Sequence, residues 1–401
     1  MSNSNLSKLL ARRIQGTQSS VVRELLKYSK DPQIISLAGG IPAADMFDLE
    51  GINEALAIAA NSGVDAYQYS MTDGELDLRE QSCNLLEKRG IKSNPDEILI
   101  TSGSQQGLDL VARVLLDKDD IILVERPTYL AALQVFSLSE AHIIDIEGDE
   151  NGINPDAVEE SLKKHKIKAL YIVANFANPT GSTLTLARRK RLVELAILYD
   201  FIIIEDDPYG EIRFDNNEVP SLYECSKTTA DACGRVIYLS SFSKILVPGL
   251  RVGLICACNE LRERLVIAKQ AFDLHTPVLC QRIVAAYLKS GRLEKRIPLL
   301  CMEYEKRCDS LINALNKHVG DVLSFKKPAG GMFLWGSLNN IDAQKLLPFA
   351  VAQKMVFVPG AAFYVANPNI NSIRLSYVTI TSSQAEEAAK RLKAAITNYL
   401  A

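Results

Sequence analysis

Residues 97–116 read EILITSGSQQGLDLVARVLL, a short apolar run followed by a glycine-containing turn and a longer segment. Ile98 to Ile100 is typical of a buried strand, and Gln106 to Leu116 has the apolar spacing of an amphipathic helix. The same strand-then-helix order returns over residues 121–136 and 143–164. Further apolar strands are predicted at Leu170 to Val173, Phe201 to Ile204, Val236 to Leu239 and Gly253 to Cys258. Strands this uniformly apolar are buried on both faces, which predicts an α/β domain with a mainly parallel seven-stranded sheet between helices.

The remaining third of the chain has a different order of elements. A long helical tract, Asn259 to Asn316, is predicted to carry the chain away from the sheet. Strands, a helix and a closing helix at Ser382 to Leu400 then predict a smaller α+β domain. We therefore expect three parts: an N-terminal segment 1–48 packing with the small domain, a large domain 49–290 and a small C-terminal domain 291–401.

The composition excludes several classes of protein. The chain has 401 residues with 47% hydrophobic and 23% charged residues, which is ordinary for a globular protein of two domains. The net charge of -3 and the scattered Lys and Arg give no basic surface for a phosphate backbone, so no nucleic-acid partner is expected. The N-terminus lacks the apolar core of a secretion signal, and no stretch is long enough to span a bilayer. We expect a cytoplasmic protein with no membrane partner.

No metal site is predicted. The eight cysteines lie mostly inside apolar runs and do not form the pair-of-pairs spacing of a zinc site. The four histidines are far apart in the sequence and show no ligand spacing with acids or cysteines. These residues are therefore expected to be core or surface side chains.

Lys244 is the strongest candidate for chemistry. It lies in Leu239-Ser-Ser-Phe-Ser-Lys-Ile-Leu-Val-Pro-Gly-Leu-Arg251, directly after a predicted buried strand. The nearby charge of Arg251 raises the cost of a second positive charge, so the pKa of Lys244 could be lowered and its amine could attack carbonyl carbons. A solvated surface lysine is the alternative, because most lysines are exposed.

Several other strand ends supply the groups that one cofactor, pyridoxal phosphate, requires. Lys244 can supply the amine that condenses with its aldehyde. Asp206 follows a strand and can keep the ring nitrogen protonated. The helix that opens in Thr101 to Gly107, with the side chains of Ser241, Ser243 and Arg251, can hold the phosphate. Asn178 and Tyr209 can donate hydrogen bonds to the phenolate oxygen. Each stretch alone also fits an ordinary turn or helix start, so the prediction depends on their joint occurrence.

In this combination the sequence resembles the class I/II aminotransferases, which are fold type I pyridoxal phosphate enzymes. The most specific part is Ser-x-Ser-Lys followed by an arginine seven residues after the lysine, here Ser241, Ser243, Lys244 and Arg251. The stretches 35–42, 103–107 and 242–251 resemble the aminoadipate, kynurenine and aromatic aminotransferase branch most closely. The resemblance runs from about residue 19 to the C-terminus and implies an aspartate aminotransferase-like fold.

The resemblance also implies roles for individual residues. Ser104 and Gln105 would hold the phosphate, Tyr129 would stack on the pyridine ring, and Tyr69 would reach the phosphate of the neighbouring subunit, which implies a homodimer. Arg374 would bind the substrate α-carboxylate with the help of Asn178, a task suited to a planar guanidinium. The catalytic set would be Lys244, Asp206 and Tyr209.

Two further residues are candidates for substrate contacts. Gly39 belongs to the stretch Ala38-Gly39-Gly40, whose glycines let the backbone approach a ligand. Arg23 lies in the N-terminal region that borders the substrate in this branch, where it could recognise a distal carboxylate. An ion pair with a neighbouring acid on a helix surface explains Arg23 equally well.

The expected reaction is a ping-pong transamination. An L-amino acid, which could be aminoadipate, aromatic or aliphatic, would give its amino group to a 2-oxo acid, most simply 2-oxoglutarate. A pyridoxal phosphate-dependent lyase or decarboxylase would share every cofactor contact. The effector-binding domain of a transcription regulator is a further alternative, disfavoured because only about thirty residues precede Ile34.

Overall fold

The computed structural model of the chain describes residues 6–15, 21–25, 27, 28, 31–215 and 217–401. The helices are α1 (Arg12–Gln15), α2 (Val21–Leu25), α3 (Leu49–Ala60), α4 (Leu76–Lys88), α5 (Ser104–Leu115), α6 (Leu130–Leu138), α7 (Pro155–Lys164), α8 (Leu186–Leu198), α9 (Leu222–Thr228), α10 (Asn259–Phe272), α11 (Val278–Lys289), α12 (Arg292–Val319), α13 (Ala343–Ala352) and α14 (Ser382–Leu400). The strands are β1 (Ile35–Ser36), β2 (Ile98–Thr101), β3 (Ile121–Arg126), β4 (His142–Asp149), β5 (Gly152–Ile153), β6 (Ile167–Ile172), β7 (Ile202–Asp206), β8 (Val236–Ser241), β9 (Gly253–Cys256), β10 (Leu323–Phe325), β11 (Phe333–Leu338), β12 (Met355–Val356), β13 (Val358–Pro359) and β14 (Ser372–Ser376).

The large sheet has the order β2-β9-β8-β7-β6-β3-β4-β5. Pairing is parallel from β8 through β7, β6 and β3 to β4, while β9 runs antiparallel to both of its neighbours. The predicted α/β fold with a mainly parallel sheet is confirmed. The predicted number of seven strands is wrong, since eight are found in the described ranges. The eighth strand, β5, has two residues and pairs with the end of β4, so it is too short to give an apolar pattern.

Helices cover both faces of this sheet. Within β7, the adjacent residues Ile203 and Ile204 are both fully buried but belong to different apolar clusters. Ile204 shares its cluster with Leu108 of α5, whereas Ile203 shares the other cluster with Leu192 of α8. Because successive side chains of a strand point to opposite faces, the continuous apolar runs of the sequence are what this two-sided core requires.

The C-terminal part of the chain forms a separate four-stranded antiparallel sheet of order β10-β11-β14-β13. Strand β1 of the N-terminal segment pairs in parallel with β12 of this part. The predicted helical tract consists of three helices, α10 to α12, which are interrupted at 273–277 and 290–291. Leu274 and Gly291 take left-handed backbone conformations there, and Pro277 cannot continue a helix. The boundaries at 48/49 and 290/291 stay a prediction.

The direction of the parallel strands positions the candidate site. Their carboxyl ends lie at one edge of the sheet, which is where open α/β sheets bind ligands. Tyr129, Asn178, Asp206 and Ser241 follow or end β3, β6, β7 and β8, respectively. Across the described ranges, no helix has both the length and the apolar character needed to cross a membrane.

Candidate active site

A cavity of about 550 Å³ opens at this edge of the sheet and extends toward the small domain. Twelve of the fourteen predicted site residues line it: Arg23, Ser104, Gln105, Tyr129, Asn178, Asp206, Tyr209, Ser241, Ser243, Lys244, Arg251 and Arg374. Gly39 is buried between Ala38 and the lining residue Gly40, and Tyr69 is an exposed residue outside the lining. The structure therefore brings together side chains that are up to 351 positions apart, Arg23 and Arg374.

Lys244 is only partly accessible, and its Nζ donates a hydrogen bond to the carbonyl oxygen of Gly40 at 2.8 Å. Burial lowers the pKa of Lys244 to about 8, and the positive charges of Arg251 and Arg374 act in the same direction. A substantial fraction of the amine is thus neutral near physiological pH. A neutral amine is the form that attacks a carbonyl carbon.

One end of the cavity is built to hold an anion. Helix α5 begins at Ser104, and its first two residues, Ser104 and Gln105, line the cavity. The amide groups at a helix start and the positive end of the helix dipole favour an anion there. Arg251 donates from Nη1 to Ser243 Oγ at 3.2 Å. Gly103 has a φ of +88°, and a Cβ there would lie 2.5 Å from Arg251 Nη2. Only glycine therefore leaves room for this arginine beside the helix start.

Asp206, at the end of β7, is buried and carries one carboxylate oxygen without a partner. Its Oδ2 accepts a hydrogen bond from the Tyr171 hydroxyl at 2.8 Å, whereas its Oδ1 is buried with no hydrogen-bond partner among the described residues. Burial raises the pKa of Asp206 to about 7, the Tyr171 hydrogen bond opposes this rise, and the charge of Asp207 adds to it. An unpaired buried carboxylate oxygen is costly, which indicates that a ligand donor completes it.

Arg374 lies on β14 and is almost fully buried at the far side of the cavity. It donates from Nη1 to Asn178 Oδ1 at 2.8 Å and from Nη2 to the carbonyl oxygen of Ala38 at 2.7 Å. Its guanidinium carbon lies 4.2 Å from the ring centroid of Phe333 and 5.0 Å from that of Phe363. Among the described residues it forms no ion pair, and burial lowers its pKa to about 10.

The arrangement at Arg374 fits an anionic ligand. A buried guanidinium without an acidic partner is costly unless a ligand supplies the negative charge. Its Nε is also buried without a hydrogen-bond partner in the described structure. A carboxylate matches the planar fork of an arginine in shape as well as in charge. Arg374 is therefore suited to bind a carboxylate in the cavity that Lys244 and Asp206 also line.

Several contacts of this site were not found from the sequence. Two are backbone carbonyl groups, of Ala38 and Gly40, which leave no side-chain signal. Phe333, Phe363 and Tyr171 were missed because aromatic residues in apolar runs are usually core residues. The glycines of residues 38–40 were the sequence signal for these backbone contacts, and they led to the prediction of Gly39. The hydrogen bonds are instead accepted by its neighbours, Ala38 and Gly40.

A second cavity, of about 630 Å³, lies between the two sheets and is the larger of the two. Its lining includes Glu125, Lys326, Lys327 and Trp335, but none of the predicted site residues. Burial raises the pKa of Glu125 to about 8, and its carboxyl accepts a hydrogen bond from the Val173 amide. Because none of the residues that the sequence predicts to carry chemistry lines this cavity, we assign the chemistry to the smaller cavity.

The residues that line the smaller cavity fit the chemical groups of pyridoxal phosphate. The helix start with Arg251, Ser241 and Ser243 suits a phosphate, and the unpartnered Asp206 Oδ1 suits a protonated ring nitrogen. Lys244 offers an amine for the aldehyde. The individual roles of these residues remain predictions.

Comparisons with known proteins agree with this geometry. Residues 32–392 match the family model for aminotransferase class I and II. The chain is 40% identical to aromatic-amino-acid aminotransferase 1 of Thermococcus litoralis, covering 96% of this chain and 93% of that protein. It is 39% identical to 2-aminoadipate transaminase of Thermus thermophilus, covering 96% and 95%. The crystal structure of Pyrococcus horikoshii kynurenine aminotransferase in complex with PMP superposes with a TM-score of 0.92 at 40% identity, covering 99% of each chain. The cofactor is pyridoxal phosphate.

We predict that attachment of pyridoxal phosphate to the apoenzyme accelerates as the pH rises through about 8, because the neutral fraction of Lys244 increases there. Absorbance at the bound-cofactor band, followed in stopped-flow experiments over a range of pH values, measures this rate. Arg374→Gln removes a positive charge near Lys244, so its midpoint must lie at higher pH than that of the wild type. A wild-type midpoint near the ordinary lysine value of 10.5 would contradict the assignment.

Proposed function

This chain belongs to the class I and II aminotransferases, and on that premise we propose that it transfers an amino group from an L-amino acid to a 2-oxo acid, with 2-oxoglutarate as acceptor. The observation that carries the proposal is the meeting of Lys244, Asp206 and Arg374 in one cavity. An amino acid and a 2-oxo acid both carry an α-carboxylate, which is a suitable partner for the buried guanidinium of Arg374. The same place can thus receive the donor and the acceptor in turn, which supports a ping-pong order.

Each residue has a separate task in the proposed reaction. Bound pyridoxal phosphate supplies an aldehyde that accepts the amino group and a ring that withdraws electrons from the substrate Cα. Asp206 would hold the proton on the ring nitrogen through Oδ1. Lys244 Nζ would act as the base for the proton at the substrate Cα and then as the general acid that returns it. Its lowered pKa suits both directions of transfer, because a base works best when its pKa lies near the working pH.

The remaining polar residues bind and orient. Arg374 fixes the α-carboxylate, and Asn178 holds one Nη of that guanidinium in place. Tyr209 and Asn178 both line the cavity, and both are suited to contact the phenolate oxygen. Tyr129 ends the turn before α6 and lines the cavity as the proposed stacking partner of the ring. Ser104, Gln105, Ser241, Ser243 and Arg251 surround the proposed phosphate position.

The proposed half-reactions can be separated spectroscopically. With an amino donor alone, the holoenzyme should convert its cofactor spectrum and release one equivalent of the 2-oxo acid, and 2-oxoglutarate should restore the spectrum. Lys244→Ala should lower the rate of proton transfer at least ~100-fold, as expected for loss of a general base. Lys190→Ala, a change at an exposed lysine, is the matched control. Release of pyruvate or carbon dioxide without an acceptor would instead identify a lyase or a decarboxylase.

For the donor side chain, we propose that Arg23 binds a distal carboxylate such as that of 2-aminoadipate or glutamate. Its side chain is exposed on α2 and lines the cavity beside Ile41, Leu130 and Gln134. The apolar members of this lining suit aromatic or aliphatic donors, and the arginine suits acidic ones. A lining of this mixed kind supports more than one class of amino donor.

A panel of amino donors assayed against 2-oxoglutarate tests the role of Arg23. Arg23→Ala should lower kcat/KM for 2-aminoadipate and glutamate roughly 10-fold or more, because a charge-assisted hydrogen bond is lost. Aromatic donors should be affected much less. Arg12→Ala is the matched control, since Arg12 is an exposed arginine of the same segment that pairs with Glu140 instead. An equal loss for acidic and aromatic donors would exclude the proposed role.

We also propose a homodimer in which Tyr69 reaches the phosphate of the partner subunit. Large apolar side chains are exposed in one short stretch, with Val64 83%, Tyr69 78% and Met71 71% exposed. Such a patch favours a protein–protein interface. Tyr69 packs edge-on against His275 at 5.8 Å and is not part of its own chain's cavity lining.

Sedimentation at micromolar concentration should give a dimer. Tyr69→Phe should weaken cofactor binding, because the hydroxyl proposed to reach the phosphate is removed, and the variant should remain a dimer. A monomer with full activity would contradict the proposal.

The cytoplasm remains the proposed compartment. All eight cysteines are free thiols in the structure. Disulfides form in oxidising compartments, so unpaired cysteines favour a reducing one.

A further inference from the structure

Tyr171, on strand β6, contacts the carboxylate of Asp206 from the neighbouring strand. It is fully buried, and its hydroxyl donates to Asp206 Oδ2 at 2.8 Å. Strand pairing aligns Tyr171 with Ile204 of β7. Since side chains two positions apart share one face of a strand, Asp206 lies on the same face as Ile204. The register of the sheet therefore brings the hydroxyl and the carboxylate together.

The ring of Tyr171 is held in place as well as its hydroxyl. Phe136 of α6 packs edge-on against it, with ring centroids 5.6 Å apart. A buried ring in such packing has little freedom to turn its hydroxyl elsewhere. The hydrogen bond to Asp206 is thus part of a preformed arrangement.

We propose that Tyr171 is a positioning residue for the cofactor: it occupies Oδ2 of Asp206 and leaves Oδ1 as the oxygen that receives the ring nitrogen. This inference rests on the proposed function, in which Asp206 contacts that nitrogen. Oδ1 has no partner among the described residues, although Asp206 lines the cavity. With one oxygen held, the carboxylate cannot rotate freely, so the direction of its second hydrogen bond is set before the cofactor binds.

The same hydrogen bond affects the charge of Asp206. Burial and the neighbouring Asp207 favour the protonated carboxyl, and the Tyr171 hydroxyl favours the ionised form. Tyr129 and Tyr209, which also interact with Asp206, are neutral at physiological pH, and burial raises the pKa of each further. Tyr171 is therefore the side-chain donor that favours the ionised form of Asp206. Only an ionised carboxylate can hold a proton on the ring nitrogen.

The other side of β7 provides a matched control. Tyr238, on β8, is also fully buried, and its hydroxyl donates to Asp207 Oδ2 at 2.9 Å. Both tyrosines bond a carboxylate at the end of β7, but Asp207 does not line the cavity. Phenylalanine at either position removes one hydroxyl and keeps the ring. The Tyr238 hydroxyl also accepts a hydrogen bond from Arg89 Nη1 at 2.9 Å, so Tyr238→Phe should lose at least as much buried hydrogen bonding as Tyr171→Phe. An effect on the cofactor should nevertheless be confined to Tyr171→Phe.

The test compares wild-type, Tyr171→Phe and Tyr238→Phe holoenzymes loaded with cofactor labelled with ¹⁵N in the ring. In Tyr171→Phe the nitrogen signal should move toward that of neutral pyridine, and the cofactor Kd should rise roughly 10-fold, as expected for loss of one hydrogen bond to a charged group. The kcat value should fall while KM for the amino donor changes little. Tyr238→Phe should keep the wild-type nitrogen signal and Kd.

A double-mutant cycle shows whether Tyr171 acts through Asp206. In an Asp206→Asn background, Tyr171→Phe should have no further effect on kcat. Melting temperatures of all variants check that each is folded. An unchanged nitrogen signal in Tyr171→Phe, or an undiminished effect of that change in the Asn background, would overturn the inference. A wild-type protein that binds the cofactor but does not transaminate would instead refute the proposed function.

Discussion

The burial of three ionisable side chains in one cavity without ion pairs among them is the constraint on which the site depends. Burial lowers the pKa of Lys244 to about 8 and that of Arg374 to about 10, and it raises the pKa of Asp206 to about 7. A folded protein pairs or hydrates such groups unless a ligand completes them. The proposed ligands carry the complementary groups, namely an aldehyde for the amine, a ring N–H for the carboxylate and an α-carboxylate for the guanidinium.

The rest of the structure keeps these three groups close together and fixed in orientation. Asp206 and Lys244 leave neighbouring parallel strands at the same edge of the large sheet, whereas Arg374 comes from the antiparallel sheet of the small domain. Asn178 joins the two sheets, because its side chain accepts a hydrogen bond from Arg374. The N-terminal segment contributes the carbonyl groups of Ala38 and Gly40, one to each cation. Residues far apart in the sequence thus form one preorganised site, as electrostatic catalysis requires.

Much of this architecture could be predicted because its causes are local. A strand buried on both faces must be apolar throughout, so β3, β6, β7 and β8 are visible as continuous apolar runs. The reversed direction of β9 depends on pairing with β2 and β8 and has no local signature. The break in the helical tract near Leu274 depends on one left-handed residue before Pro277. Side chains of the site were predicted where a strand ends in polar residues. Tyr171 was missed because its partner, Asp206, is 35 positions away and is reached only through sheet register.

Lys244 is the amine to which we propose that the cofactor attaches, and chemical trapping tests this attachment most directly. Borohydride reduction of the holoenzyme, followed by proteolysis and mass spectrometry, locates the modified lysine. We predict that only the peptide containing Lys244 carries the cofactor, and that this peptide is unmodified when an amino donor is added before reduction. Lys269 is the informative alternative, because it is fully buried, although it is paired with Asp273 at 2.8 Å. Modification of Lys269 or of any other lysine in place of Lys244 would contradict the account.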